Sequence, residues 1–186
     1  LILYDRETDS HWSQMMLKCV NGPKIRTEPA FYHAVETTWQ TWRQMYPNGN
    51  VLSDQNNGSG FYDVYPYGDY KTSSRLIFPV NNIDTRLHHK ERVHGVIVSD
   101  QTKAYPISKF SSQIQVLQQI VNGKKIVVVG SSTRNIATSF ERILADGTEL
   151  SFSAVQNRLP VIMSDNEGNM WNIFGLAVSG PRAGTY

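Results

Sequence analysis

Short apolar, β-branched runs separated by pairs of turn-forming residues recur through the second half of the chain. Val116 to Val121 and Lys125 to Val129 flank Asn122-Gly123, the pair that best accepts the positive φ angles of a two-residue hairpin turn. Ala137 to Leu144 and Thr148 to Ala154 flank Asp146-Gly147, and the alternation of Leu150, Phe152 and Ala154 predicts a strand with one buried face. Val93 to Val98 and Lys103 to Ile107 flank Ser99-Asp100-Gln101-Thr102 in the same way. Three hairpins in sequence predict a meander. The fold class expected is therefore mainly β, of sequential antiparallel hairpins with one short helix, and α+β is the alternative.

The helix is expected after Thr37 or Thr38, either of which can cap it. Trp39, Trp42 and Tyr46 follow at i, i+3 and i+7, and Pro47-Asn48-Gly49 stops it. So short a helix needs tertiary packing to persist, so the aromatic stripe is expected to face the core. From Ser53 to Ser74 the chain is rich in Gly, Asn, Asp, Ser and Tyr without a sustained period, which predicts a long ordered loop. Asn57-Gly58-Ser59 within it reads as a turn.

The two ends echo each other. Leu1-Ile2-Leu3, Trp12 and Gly22-Pro23-Lys24 are matched by Val161-Ile162-Met163, Trp171 and Gly180-Pro181-Arg182. Trp12 and Trp171 lie 159 positions apart, and Gly22 and Gly180 lie 158 apart. A duplicated unit explains the near-constant offset. On that expectation residues 1–186 form a single β-rich unit, a fragment covering about one period of a duplicated protein. Each tryptophan is expected beneath its Gly-Pro turn. The opening Leu1-Ile2-Leu3 reads as a strand already inside a fold.

Composition narrows the function classes. The 186 residues can bury one sizeable core. Eighteen basic and sixteen acidic residues leave a formal charge of +2, without the one-sided basic footprint of a nucleic-acid binder. The single cysteine, Cys19, excludes an internal disulfide or a multi-cysteine metal site, and a buried, inert thiol is expected. No apolar run approaches the roughly 20 residues that span a bilayer, so the chain is not expected to be membrane-embedded.

LILYDRETDSHWSQ, ETTWQTWRQMYPN, YPYGDY, KERVHGV, KAYPIS and AVSGPRAG, in that order, resemble the bacterial family known as domain of unknown function 3179. The resemblance spans nearly the whole chain. It implies an extracytoplasmic protein, periplasmic, lipoprotein-anchored or secreted, made of two related halves and without an established activity. It also implies residues beyond both ends. The family's Cys-Pro-Leu-Cys type motif has no equivalent in IVVVGSSTRN, where Ser131 and Arg134 stand at the two cysteine positions. A metal or redox role tied to that pair is thus not one these residues can perform.

Candidate chemistry is sparse. His88, His89 and His94 cluster beside Asp84 and Glu91, but adjacent residues of an extended strand face opposite sides, and no HExxH-type helical spacing is present. No metal site is assigned, and His11 and His33 are isolated. There is no GxSxG, and Gly130 to Thr133 lacks a recognisable base partner. Gly58 and Gly60 do not make a phosphate loop. The candidate for ligand contact is FYDVYPYGDY, with Phe61, Tyr62, Tyr65, Tyr67 and Tyr70 crowded beside Asp63 and Asp69. Tyrosine offers an apolar face and a polar tip, which suits sugars, peptides and protein surfaces. Asp63 and Asp69 are also a conceivable carboxylate pair for glycoside hydrolysis. The ligand-binding residues expected are Tyr65, Tyr67, Asp69 and Tyr70, with Tyr65 or Tyr67 held partly exposed by Pro66. Catalytic residues and cofactors are left unassigned. The function expected is a non-catalytic module that binds a small molecule or protein, or serves as structure. The alternative is an enzyme, a hydrolase or a metal or redox protein, whose site needs residues outside this chain.

Overall fold

A computed structural model describes residues 2–53 and 64–186. Two compact units span Leu1–Ala34 and Val35–Tyr186. In the first, β1 (Ile2–Asp5), β2 (Ser10–Ser13) and β3 (Lys18–Asn21) form an antiparallel sheet in that order. Leu3 faces Trp12 across the first pair and Trp12 faces Cys19 across the second, with a bulge between His11 and Trp12. The β1–β2 turn is closed by the Asp5 carboxylate, which accepts from the Glu7 N–H at 2.9 Å and from the Thr8 hydroxyl at 2.5 Å. Gly22 has φ 98°, and a Cβ there would lie 2.4 Å from the Asp9 carbonyl oxygen. The Gly22-Pro23 turn is thus seated on Asp9 and the buried Ser10. Cys19 is buried.

The second unit opens with α1 (Trp39–Met45), capped by the Thr38 hydroxyl on the Thr41 N–H at 3.1 Å. The Thr37 hydroxyl ties the helix start to the Arg134 carbonyl at 2.7 Å. Thr41 and Met45 are the residues α1 buries. Trp39 is 55% exposed and Tyr46 is exposed, which overturns the expectation that the aromatic stripe is core. Trp42 instead stacks on Trp39 at 5.1 Å and leans on Gly49, where a Cβ would lie 2.3 Å from its ring.

Strands β4 (Val93–Val98) and β5 (Gln101–Pro106) form a hairpin through Ser99-Asp100. Its loop is two residues rather than four, because Ser99 itself takes φ 55° and Gln101 already pairs with Val98. Strands β6 (Gln115–Val121), β7 (Lys124–Ser131) and β8 (Ile136–Glu141) form a three-stranded meander. Asn122 and Gly123 join β6 to β7 with φ 45° and 77°, the two positive angles of a type I′ turn. Strands β9 (Phe152–Ala154), β10 (Val161–Asp165), β11 (Met170–Asn172) and β12 (Ala177–Ser179) form a four-stranded antiparallel sheet in sequence order. The hairpin expected across Asp146-Gly147 is limited to an Ile143–Glu149 bridge and its flanking hydrogen bonds. Phe152–Ala154 leaves β8 and pairs with β10 instead.

Strand β7 holds this unit together. Val127 and Val129 pack with Ile136, Leu150, Phe152, Ile162, Met163 and Trp171. Ile126 and Val128 pack with Val96, Val98, Tyr105 and Phe110. Alternate residues of a strand face opposite sides, so a continuous apolar run belongs to a strand covered on both. Gly130 lies under Phe110, where a Cβ would come within 2.6 Å of the ring.

Asp165 organises the β10–β11 turn. It accepts from the Glu167 and Asn169 N–H groups at 2.9 and 3.0 Å, the Asn169 amide at 2.8 Å and the Trp171 indole at 2.8 Å. Burial pushes this carboxyl up, but those donors outweigh it and hold it below the ordinary aspartate value. The ionised form is therefore favoured by folding. Its contribution is present above about pH 4 and is lost as the pH falls through the lower folded value. Asp165→Asn is expected to cost roughly 2 kcal/mol or more at pH 7, and to flatten the loss of stability on acidification. Urea denaturation at pH 7 and pH 3 checks both.

Candidate functional site

The tyrosine loop is described from Val64 onward, and it contains one 3-10 turn, Gly68–Lys71. Phe61, Tyr62, Asp63, Gly58, Gly60 and the Asn57-Gly58-Ser59 turn lie outside the described residues. So does the Asp63 member of the proposed carboxylate pair.

Tyr65 and Tyr67 meet edge to face with ring centroids 5.6 Å apart, on either side of Pro66. Both are exposed, Tyr67 to 60%. Lys71 places its ammonium 4.3 Å from the Tyr65 ring centre. Tyr70 is half-buried beneath the Lys90 ammonium, 3.6 Å from its ring centre. That ammonium also donates to the Tyr70 and Ser73 carbonyls, both at 2.5 Å. Lys90 therefore pins the loop through three contacts, with Tyr70 as its anchor. Asp69 is exposed and pairs with Arg75 at 3.4 Å. Tyr65, Tyr67, Asp69 and Tyr70 thus share one short turn, with Tyr67 the least covered ring.

Downstream of this loop, Asp84, Arg86, His88, His89, Glu91 and Lys103 line an open recess of about 560 Å³. Arg86 grips Asp84 and holds its carboxyl down to about 2. His88 and His89 do not face opposite sides as expected of an extended strand. The chain turns there, and their rings stack at 4.4 Å. Among the described residues no three His, Cys, Asp or Glu side chains converge as a metal site.

His94 went unpaired in the sequence, but the structure gives it a partner. β4 brings its Nε2 to 2.9 Å from the Ser139 hydroxyl on β8, a separation that no local motif reports. Among the described residues no carboxylate hydrogen-bonds the other ring nitrogen, so the third member of a triad is not supplied. Ser131 and Arg134 have structural duties. The buried Ser131 hydroxyl donates to the Ser112 carbonyl at 2.8 Å and accepts from the Arg134 N–H at 3.3 Å, while the Arg134 guanidinium donates to Gln44 at 2.8 Å.

The first unit carries a different surface. Leu3, Tyr4, Asp5, Trp12, Leu17 and Phe31 line an open cavity of about 620 Å³, mostly apolar. Sequence reasoning did not single it out, because the strand pattern alone does not say which faces stay uncovered.

Fold and surfaces together define an antiparallel β protein with an exposed aromatic turn and a mostly apolar cavity on its first unit. No described helix is long and apolar enough to cross a membrane. The chain belongs to the family described as protein of unknown function (DUF3179), whose model matches residues 1–186. No curated protein and no solved structure gives a match.

Burial holds the His94 imidazole below its ordinary value. The neutral ring is therefore favoured by folding. The associated stability is complete above about pH 6.5 and declines as the pH falls below it. Proton NMR is expected to show His94 titrating below that value, and Ser139→Ala is expected to leave the direction unchanged, since burial is the cause.

Proposed function

We propose that the chain is a non-catalytic extracytoplasmic binding module built on a duplicated three-strand motif. Its ligand, a small molecule or a protein segment, is contacted by Tyr65, Tyr67, Asp69 and Tyr70. Location outside the cytoplasm is part of this proposal, as the reading the family resemblance implies.

The duplication is supported by matching hydrogen bonds in the two motifs. The Glu7 and Glu167 N–H groups each donate at 2.9 Å to the aspartate two residues earlier. The bulge before Trp12 recurs before Trp171, and these residues face Cys19 and Ala177. The Cys19 N–H reaches the Thr27 carbonyl at 2.9 Å, as the Ala177 N–H reaches that of Thr185 at 2.9 Å. The Thr27 and Thr185 hydroxyls donate to the Lys24 and Arg182 carbonyls. Gly22 and Gly180 have φ 98° and 96°.

The observation that carries the binding assignment is the Tyr65–Tyr67 pair. Two rings are held at the surface by Pro66, with a charged rim from Lys71, Asp69 and Arg75. Exposed aromatic faces with polar neighbours orient a ligand through stacking and hydrogen bonds. Pro66 restricts the unbound backbone, so presenting the rings costs less entropy. A hydrolase is the second reading, favoured by the His94–Ser139 contact. Covalent labelling of Ser139 by a fluorophosphonate discriminates it from the binding module.

The test titrates the chain with cellotetraose, chitotetraose and tetra-alanine while following tyrosine ring resonances. At least one probe is expected to shift Tyr67. Tyr67→Ala is expected to weaken that binding about tenfold, equivalent to about 1.4 kcal/mol, while moving the melting temperature by less than about 2 °C. No response at Tyr65 or Tyr67, or equal binding by Tyr67→Ala, overturns the assignment.

A further inference from the structure

Three segments that meet at one recess of the second unit carry arginines and no acid. Helix α1 reads WQTWRQM, the turn between β7 and β8 reads STRN, and the connection from β9 to β10 reads VQNRLP. Together they hold Arg43, Arg134 and Arg158 without an aspartate or glutamate. Gln44, Arg134, Asn157 and Leu159, drawn from all three, line an open recess of about 280 Å³. Arg134 is half-buried there, and its guanidinium donates to the neutral Gln44 side-chain oxygen at 2.8 Å. The other half-buried arginines of this unit meet carboxylates. Arg142 pairs with Glu149 at 3.0 Å, and Arg182 with Asp146 at 2.9 Å and Glu167 at 2.5 Å. Among the described residues Arg134 has no such partner.

A partly desolvated guanidinium gains most from a carboxylate, whose two oxygens match its planar fork. The loop that presents it is fixed in advance of a ligand. The Arg134 carbonyl accepts from the Thr37 hydroxyl at 2.7 Å, and the Arg134 N–H donates to the buried Ser131 hydroxyl at 3.3 Å. That hydroxyl in turn donates to the Ser112 carbonyl at 2.8 Å. The backbone on both sides of the side chain is therefore tied down, and less freedom is lost on binding. We propose that the recess binds the carboxylate of a small organic acid. Arg134 takes the two oxygens, Asn157 supplies amide donors, and Leu159 covers the alkyl part of the ligand. Arg43 and Arg158, both exposed, raise the local concentration of anions. The site depends neither on the tyrosine turn nor on the duplicated motif.

The experiment titrates the isotope-labelled full chain with sodium butyrate, sodium phosphate and sodium chloride at matched ionic strength. The Arg134 Nε–H and Asn157 side-chain amide signals are followed by NMR. Butyrate is expected to shift both signals to saturation, whereas chloride, which only screens charge, is expected to leave them nearly unmoved. Gln44 is exposed on α1, so Gln44→Glu supplies Arg134 with an internal carboxylate without disturbing the core. That variant is expected to bind butyrate about tenfold more weakly or worse, because the guanidinium is already paired. Arg134→Gln keeps the backbone bonds to Thr37 and Ser131 and is expected to abolish saturable binding. Circular dichroism of both variants checks that they fold. No saturable shift with butyrate, equal shifts with chloride, tighter binding of phosphate than of butyrate, or undiminished binding by either folded variant overturns the site.

Discussion

Burial of β7 on both faces is the constraint on which the second unit depends. Val127, Val128 and Val129 are fully buried, and each contributes on the order of 1.5–3 kcal/mol of transfer free energy. Because successive side chains point to opposite sides, one strand serves two cores. The odd-numbered valines meet the β9–β12 sheet, and the even-numbered residues meet the β4–β5 hairpin. A one-residue slip of β7 would exchange the two faces, and Gly130 would then no longer lie under Phe110. The type I′ turn at Asn122-Gly123 fixes the register against β6, and β8 fixes it from the other side.

The same reasoning separates local from non-local devices in the β1–β3 and β10–β12 strands. The turn aspartate, the bulge before tryptophan and the glycine at positive φ are local devices, so they form wherever the sequence supplies them. Covering the apolar side is not local. In the second unit β7 and β9 supply it, and the Trp171 indole is buried against Asp165. Among the described residues of the first unit, Ile2, Leu3 and Tyr4 are exposed.

Legibility in the sequence followed the range of the interaction. The Asn122-Gly123 hairpin, the Thr38 cap and the glycine turns could be read because each is decided within a few residues. The β9 strand was assigned to the wrong neighbour, since the alternation of Leu150, Phe152 and Ala154 reports a buried face but not which strand lies beside it. The helix was misread for a related reason. Its largest apolar residues recur at helical spacing, yet Thr41 and Met45 are the buried ones, and Trp42 finds Gly49 rather than the core. The stacking of His88 on His89 depended on a turn that composition does not reveal. The Tyr65–Tyr67 turn was legible as a ring-rich loop, while its anchor, Lys90 on Tyr70, joins residues twenty positions apart. The His94–Ser139 contact, across 45 positions, had no local signal.

Burial of β7 on both faces makes it the strand of the second unit that opens least often. Hydrogen exchange of the unliganded full chain tests it directly, because exchange reports how often each strand opens to water. The β7 amides of Val127, Val128 and Val129 are predicted to exchange orders of magnitude more slowly than those of Thr102, Lys103 and Ala104 in the exposed strand β5. Equal exchange of the two strands would contradict it, since β7 would then open as readily as an exposed strand.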